Sequence, residues 1–273
     1  MTPTIRLNVL TYRTGPADLL PVVLLHAFPL DARMWDDVAL LVPGPRTVLA
    51  VDLPGLGGSA GPGTTRPSLD DAADAVAQTL TTVDVERAIV VGLSMGGYVA
   101  LALLDRHPDR VAGLGLLDTR STADDEAARA NRLRVAAELE SSGTVDAVRP
   151  MATALLGETS RTLRPELADR VGALIAQQTA AGVASSQRAM AVRPDRTAVL
   201  RRFLGPALVL VGDEDVAAPV AAAEHMVAAL AAPRLVVVPH AGHLTAIEDP
   251  AAVAEAIGEL AARADIDTHR VRG

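Results

Sequence analysis

The stretch Ala88-Ile89-Val90-Val91-Gly92-Leu93-Ser94-Met95-Gly96-Gly97-Tyr98-Val99-Ala100 decides the fold. Ala88 to Val91 is a short apolar run, the mark of a strand covered on both faces. Tyr98 to Leu104 reads as a helix that must end before Pro108. Between them lies the pattern G-x-S-x-G. Strand, pattern and helix in that order are the setting of a nucleophile elbow. The chain must reverse sharply there to lift Ser94 clear of the sheet. A Cβ at position 92 or 96 would crowd the turn, which accounts for Gly92 and Gly96. A plain glycine-rich turn has the same letters, so the reading rests on the flanks and on partners elsewhere.

Working outward, strands and helices alternate. Ile5 to Tyr12 has the partial alternation of an edge strand. Val22-Val23-Leu24-Leu25 is continuously apolar and runs into His26-Ala27-Phe28-Pro29. A helix is predicted over 32–42. A strand over 47–51 then ends in the glycine-rich loop Asp52-Leu53-Pro54-Gly55-Leu56-Gly57-Gly58-Ser59. Ser68 can cap a helix whose first turn holds Asp70 and Asp71. Past Pro108, Leu114-Gly115-Leu116-Leu117 reads as a strand ending at Asp118.

From 119 to 200 the strand signals stop. This part is rich in Ala and Arg and reads as helices broken at Gly143, Gly157, Gly182 and Pro194. It is expected to be a helical lid, with residues 1–118 and 201–273 forming the core. The strand pattern resumes at Ala207-Leu208-Val209-Leu210-Val211, which leads to Gly212-Asp213-Glu214-Asp215. A helix should follow Pro219. Leu235-Val236-Val237-Val238 is the last strand and runs into Pro239-His240-Ala241-Gly242-His243. A final helix should begin near Pro250, with a loose polar tail from Ala264.

Strands alternating with helices imply a mainly parallel sheet with helices on both faces. Ligands in such sheets sit beyond the carboxyl ends of the strands. His26, Asp52, Ser94, Asp118, Asp215 and His243 all lie just past such an end. Packing alone does not account for six polar side chains on one rim.

Composition removes several chemistries. The chain has 273 residues and no Cys, which excludes disulfides, thiolate catalysis and Cys-based metal sites. All 25 basic residues are Arg, so Schiff-base chemistry, a Ser–Lys dyad and a P-loop are excluded too. The net charge of −8 speaks against a nucleic-acid partner. No apolar run approaches the roughly 18 residues of a membrane span, and no signal-peptide pattern opens the chain. A cytoplasmic protein is expected. The sequence carries no readable signal for oligomeric state.

A serine hydroxyl is a poor nucleophile at neutral pH and needs a base, which in turn needs an orienting acid. Asp215 and His243 supply them in the chain order Ser, Asp, His. Asp118 and Asp213 are alternatives for the acid, and His240 for the base. His26 precedes Ser94 and breaks the order, so a structural role in its loop is expected. The Met95 amide should form one half of an oxyanion hole. Pro29 lacks an N–H, so Phe28 should supply the other half, with Ala27 as fallback.

His26-Ala27-Phe28-Pro29-Leu30, the 52–59 loop, Gly92 to Gly97, Gly212 to Asp215 and Gly242-His243 resemble the motifs of the α/β-hydrolase superfamily. The resemblance covers nearly the whole chain outside the lid. It is nearest to the serine esterase and lactonase branch, with 3-oxoadipate enol-lactonases and carboxylesterases. Ala27 departs from it, standing where that family usually has Gly. Ser94 argues against dehalogenases and epoxide hydrolases of this fold, which place Asp there. The lack of Lys argues against its hydroxynitrile lyases. The resemblance implies cleavage of a small carboxylic ester or lactone through an acyl-enzyme, with no metal or organic cofactor. Alternatives are a cofactor-free haloperoxidase or perhydrolase on the same triad, and a receptor-like binding module with little turnover. Candidate substrate contacts are Trp35, Arg120, Met151 and Leu155, with Leu156 and Met190 also in the lid. Arg120 is the candidate partner for a substrate carboxylate.

Overall fold

The computed structural model describes residues 6–64 and 66–272, the last five by backbone alone. Ile5, the expected start of the first strand, lies outside the described residues. The core is a seven-stranded sheet with the order β1-β3-β2-β4-β5-β6-β7. The first half of the chain runs β1 (Val9–Arg13), β2 (Val22–Leu25), α1 (Asp36–Leu41), β3 (Val48–Val51), α2 (Leu69–Thr82), β4 (Ala88–Leu93), α3 (Met95–Arg106) and β5 (Val111–Leu117). Six helices then precede the next strand: α4 (Glu126–Ser142), α5 (Met151–Ala154), α6 (Glu158–Leu163), α7 (Glu166–Ala176), α8 (Ala180–Ala191) and α9 (Thr197–Arg202). The chain closes with β6 (Ala207–Gly212), α10 (Val220–Ala229), β7 (Pro233–Val238), α11 (Thr245–Glu248) and α12 (Pro250–Arg272).

Only β1 is antiparallel; the other neighbours pair in parallel. The register sets up the rim. Leu25 pairs with Gly92, Gly92 with Leu116, and Leu117 with Leu210. The inner strands therefore end at nearly one level, and the residues after them share one edge. β2 to β6 are buried throughout, as continuous aliphatic runs predict.

Three expectations need revision. The helix over 32–42 is split into a 3-10 turn, Ala32–Trp35, and α1; Asp31 caps the turn by accepting from the Arg33 amide at 3.0 Å. Gly182 lies in the first turn of α8 and interrupts nothing, because Thr179 already caps that helix. The tail from Ala264 is not loose: α12 continues to Arg272. Its stripe of Ile257, Leu260, Ala261 and Ala264 is buried, and Asp265 pairs with Arg46 at 2.9 Å. A polar stretch was thus carried by the apolar face one turn before it.

Candidate active site

β4 ends in the expected elbow. Ser94 has φ 54° and ψ −112°, a left-handed conformation outside the regions a non-glycine residue favours. A Cβ on Gly92 would lie 2.1 Å from the Gly96 carbonyl oxygen, and one on Gly96 would lie 2.1 Å from that of Leu25. Both glycines are therefore required by close backbone approach. The second contact seats the start of α3 against the end of β2. It brings the Met95 and Phe28 segments into one neighbourhood.

Ser94, Asp215 and His243 meet in a line. Ser94 Oγ lies 2.8 Å from His243 Nε2, and His243 Nδ1 lies 2.8 Å from Asp215 Oδ2. Asp215 Oδ1 accepts from the Ala217 and Ala218 amides, each at 2.8 Å. Asp215 is 4% exposed and His243 6%, while Ser94 is half-buried. Burial alone would raise the Asp215 carboxyl, but the hydrogen bond and charge of His243, with the two amides, outweigh it and hold it below its ordinary value. An ionised Asp215 fixes the imidazole proton on Nδ1 and leaves the Nε2 lone pair facing the serine hydroxyl. This arrangement is able to take the hydroxyl proton as the oxygen attacks.

The alternatives occupy other places. Asp213 accepts from the His240 amide at 2.7 Å, and His240 is exposed. Asp118 is wholly buried and bonds to Gly212 and Thr245. His26 is also wholly buried; its Nδ1 meets the Ala27 carbonyl at 2.9 Å, and the Leu53 amide donates to its Nε2 at 2.8 Å. Burial lowers its pKa, so the ring is neutral and joins the two loops. Asp52 accepts from the amides of Ala32 and Gly58 and from Asn8, all at 2.8 Å. Both residues stiffen the rim. Among the described residues, the Phe28 and Met95 amides donate no backbone hydrogen bond.

The candidate substrate contacts are scattered. Trp35 is fully buried in the core. The Arg120 guanidinium donates to the Ala217 carbonyl. Met151 is half-buried at the start of α5, and Leu155 is 8% exposed beneath it. A pocket does open beside Met95, lined by Leu53, Pro54, Leu69, Ala72, Val99 and Ala189, with Ser68, Asp71, Ser185 and Ser186. None of the four named contacts lines it. A larger cavity of about 740 Å³ lies at the other end of the strands, beside Pro21, Thr47, Arg87 and Arg110, away from the three converging side chains.

Two residues near the site had at most a weak sequence signal. Thr119 donates to the Ser94 carbonyl oxygen at 2.8 Å. Glu248 is 1% exposed and accepts from the amides of Gly157 at 2.8 Å, Gly242 at 2.9 Å and Leu244 at 3.2 Å. A Glu five residues past His243 is a weak signal, readable only as a carboxylate in a short helix. Among the described residues, no cluster suits a metal ion and no helix is long and apolar enough to cross a membrane.

Comparison with known proteins agrees with this fold. A model of the alpha/beta hydrolase fold family matches residues 21–250. A 2-succinyl-6-hydroxy-2,4-cyclohexadiene-1-carboxylate synthase of Enterobacter sp. (strain 638) is 31% identical, over 91% of this chain and 94% of its own. A pimeloyl-[acyl-carrier protein] methyl ester esterase of Neisseria meningitidis serogroup C is 30% identical, over 85% of this chain and 89% of its own. Among solved structures, a thermophilic esterase from Thermogutta terrifontis, described with malate bound, superposes with a TM-score of 0.88 at 34% identity, covering 95% of this chain and 94% of that one.

Proposed function

Because the chain belongs to the α/β-hydrolase fold family, we propose that it cleaves a carboxylic ester or lactone through an acyl-enzyme. The observation that carries this is the unbroken line from Ser94 Oγ through His243 to Asp215. Ser94 Oγ attacks the carbonyl carbon as His243 Nε2 takes its proton. The oxyanion sits against the Met95 and Phe28 amides. Collapse expels the alkoxide, which receives the proton from His243. Water then repeats the cycle: it attacks the acyl carbon, gives a proton to Nε2, and Ser94 leaves with it. Asp215 stays ionised throughout and stabilises the imidazolium.

Residues 119–200 act as the lid over this site. The pocket beside Met95, between α2, α3 and α8, has a volume of about 30 Å³ and takes no more than a small apolar end of the substrate. Asp71 is its one charged lining side chain among the described residues. A neutral acyl group fits it better than a carboxylate. The esterase names of two relatives support the ester reading, while the Enterobacter relative is named a synthase, so an assay must decide. The test is turnover of a panel of activated esters and lactones by the wild type and Ser94→Ala. Stoichiometric release of acid and alcohol by the wild type, lost in Ser94→Ala, is the expected result. No turnover across the panel would leave a binding module in its place.

A further inference from the structure

Asp118 is the buried acid for which the proposed chemistry has no use. It follows β5 with φ 46°, a conformation that a non-glycine residue keeps only where its surroundings demand it. Its Oδ1 accepts from the Gly212 amide at 3.1 Å, three residues before Asp215. Its Oδ2 lies 2.5 Å from Thr245 Oγ1 and 3.3 Å from the Thr245 amide, two residues after His243. Its own amide donates to the Leu210 carbonyl at 2.9 Å. The next residue, Thr119, holds the Ser94 carbonyl. One short segment thus touches the serine elbow, the strand that leads to the acid and the loop that carries the base.

We propose that Asp118 is a positioning residue: its side chain ties the end of β6 to the loop after His243 and so aligns Asp215 with the imidazole. This rests on the triad reading above. The groups around Asp118 explain its charge. Asp215, from the loop after β6, is the charged group that acts on it. Gly212 and Thr245 offer neutral partners. Glu248, on the same short helix as Thr245, is occupied by three backbone amides. Among the described residues, no Arg or His bonds to Asp118. Burial first, and then the charge of Asp215, push the carboxyl well above its ordinary range. This favours the protonated form over the carboxylate, while Oδ2 accepts from the hydroxyl and the amide of Thr245. The opposite shifts of the two carboxyls favour negative charge on Asp215, beside the imidazole.

The test compares Asp118→Asn and Asp118→Ala with the wild type by steady-state kinetics on an activated ester and by urea unfolding between pH 4 and 9. Asn is neutral and the same shape, so it should hold kcat within about tenfold, losing no more than one weak hydrogen bond. Ala removes the tie, and kcat should fall about 10²-fold with KM little changed, the scale of a small misplacement. The pH arm has a definite sign. A folded pKa raised above the unfolded value of 3.8 means that stability is fullest below that value and is lost as pH rises toward the folded one. The wild type should therefore lose stability relative to Asp118→Asn as pH rises above 4. A crippled Asp118→Asn, an Asp118→Ala with undiminished kcat, or parallel pH–stability curves would each overturn the proposal. If Asp118→Ala does not fold, the Asn variant and its pH curve decide alone. Retained turnover in Ser94→Ala would overturn the triad reading instead, and the pH curves do not depend on turnover.

Discussion

The backbone N–H of His243 donates to the carbonyl oxygen of Leu155 at 2.9 Å. The loop that carries the imidazole is therefore fastened to the helices between β5 and β6. Neighbouring bonds reinforce the contact. The Gly157 amide donates to Glu248, and the amide and hydroxyl of Thr159 donate to Glu214. Arg164 reaches the Glu248 carbonyl at 2.6 Å. Any movement of the segment from α5 to α6 also moves the His243 loop, whereas α4 and α8 are free of these bonds.

Glu248→Ala should lower stability by about 3 kcal/mol, because it leaves three buried amides around His243 without an acceptor. Urea unfolding monitored by circular dichroism measures it. A change under about 0.5 kcal/mol, the range of ordinary surface substitutions, would show that water replaces the carboxylate easily.

Gly157→Ala tests the same seam by volume. Gly157 has φ −61°, which any residue adopts, so only space is at issue. An added Cβ would lie 2.5 Å from Glu214 Oε2 and 2.8 Å from the Gly242 amide. The backbone beside His243 must shift, and kcat should fall about 10²-fold while the protein stays folded. Unchanged kcat would mean that the seam does not align the base.

Asp215→Asn should lower kcat on the order of 10⁴-fold, by favouring the wrong imidazole tautomer. The folded Asp215 carboxyl lies below its unfolded value of 3.8. Its contribution to stability is thus present above that value and lost as pH falls through the folded one. The stability advantage of the wild type over Asp215→Asn should be constant near neutrality and shrink below pH 4. An advantage that grows on acidification contradicts the ionised state assigned here.

A matched pair of esters, with and without a remote carboxylate on the acyl side, tests the pocket. The neutral ester should have the higher kcat/KM, since Asp71 is the charged side chain at the lining and Arg120 is tied to Ala217. The gap should narrow with added salt as screening grows. Arg120→Ala should leave the ratio unchanged. A preference for the carboxylate, lost in Arg120→Ala, would mean that this arginine swings into the site.

The rim was legible because each inner strand is an apolar run that stops at a polar residue, and the parallel register puts those stops at one level. Ser94, Asp215 and His243 each followed such a stop. Gly92 and Gly96 were legible for a related reason: the elbow has a steric demand that few residues meet. Glu248 and Thr119 were not, since only a tertiary contact distinguishes a buried acceptor from a carboxylate or hydroxyl on a wet helix face. The pocket was hidden in the same way. Leu69, Ala72 and Val99 sit on apolar helix faces, and periodicity does not separate a face that lines a cavity from one that packs. Trp35 illustrates the converse, a large aromatic with no reach beyond the core.

The central claim is that Ser94 is the nucleophile. Treatment with a fluorophosphonate, followed by proteolysis and mass mapping, tests it directly. The chain has nine serines. One equivalent of label on Ser94, absent in Ser94→Ala and strongly slowed in His243→Ala, is the result this account predicts. Label on another serine, or no label on a protein that turns over esters, would contradict it.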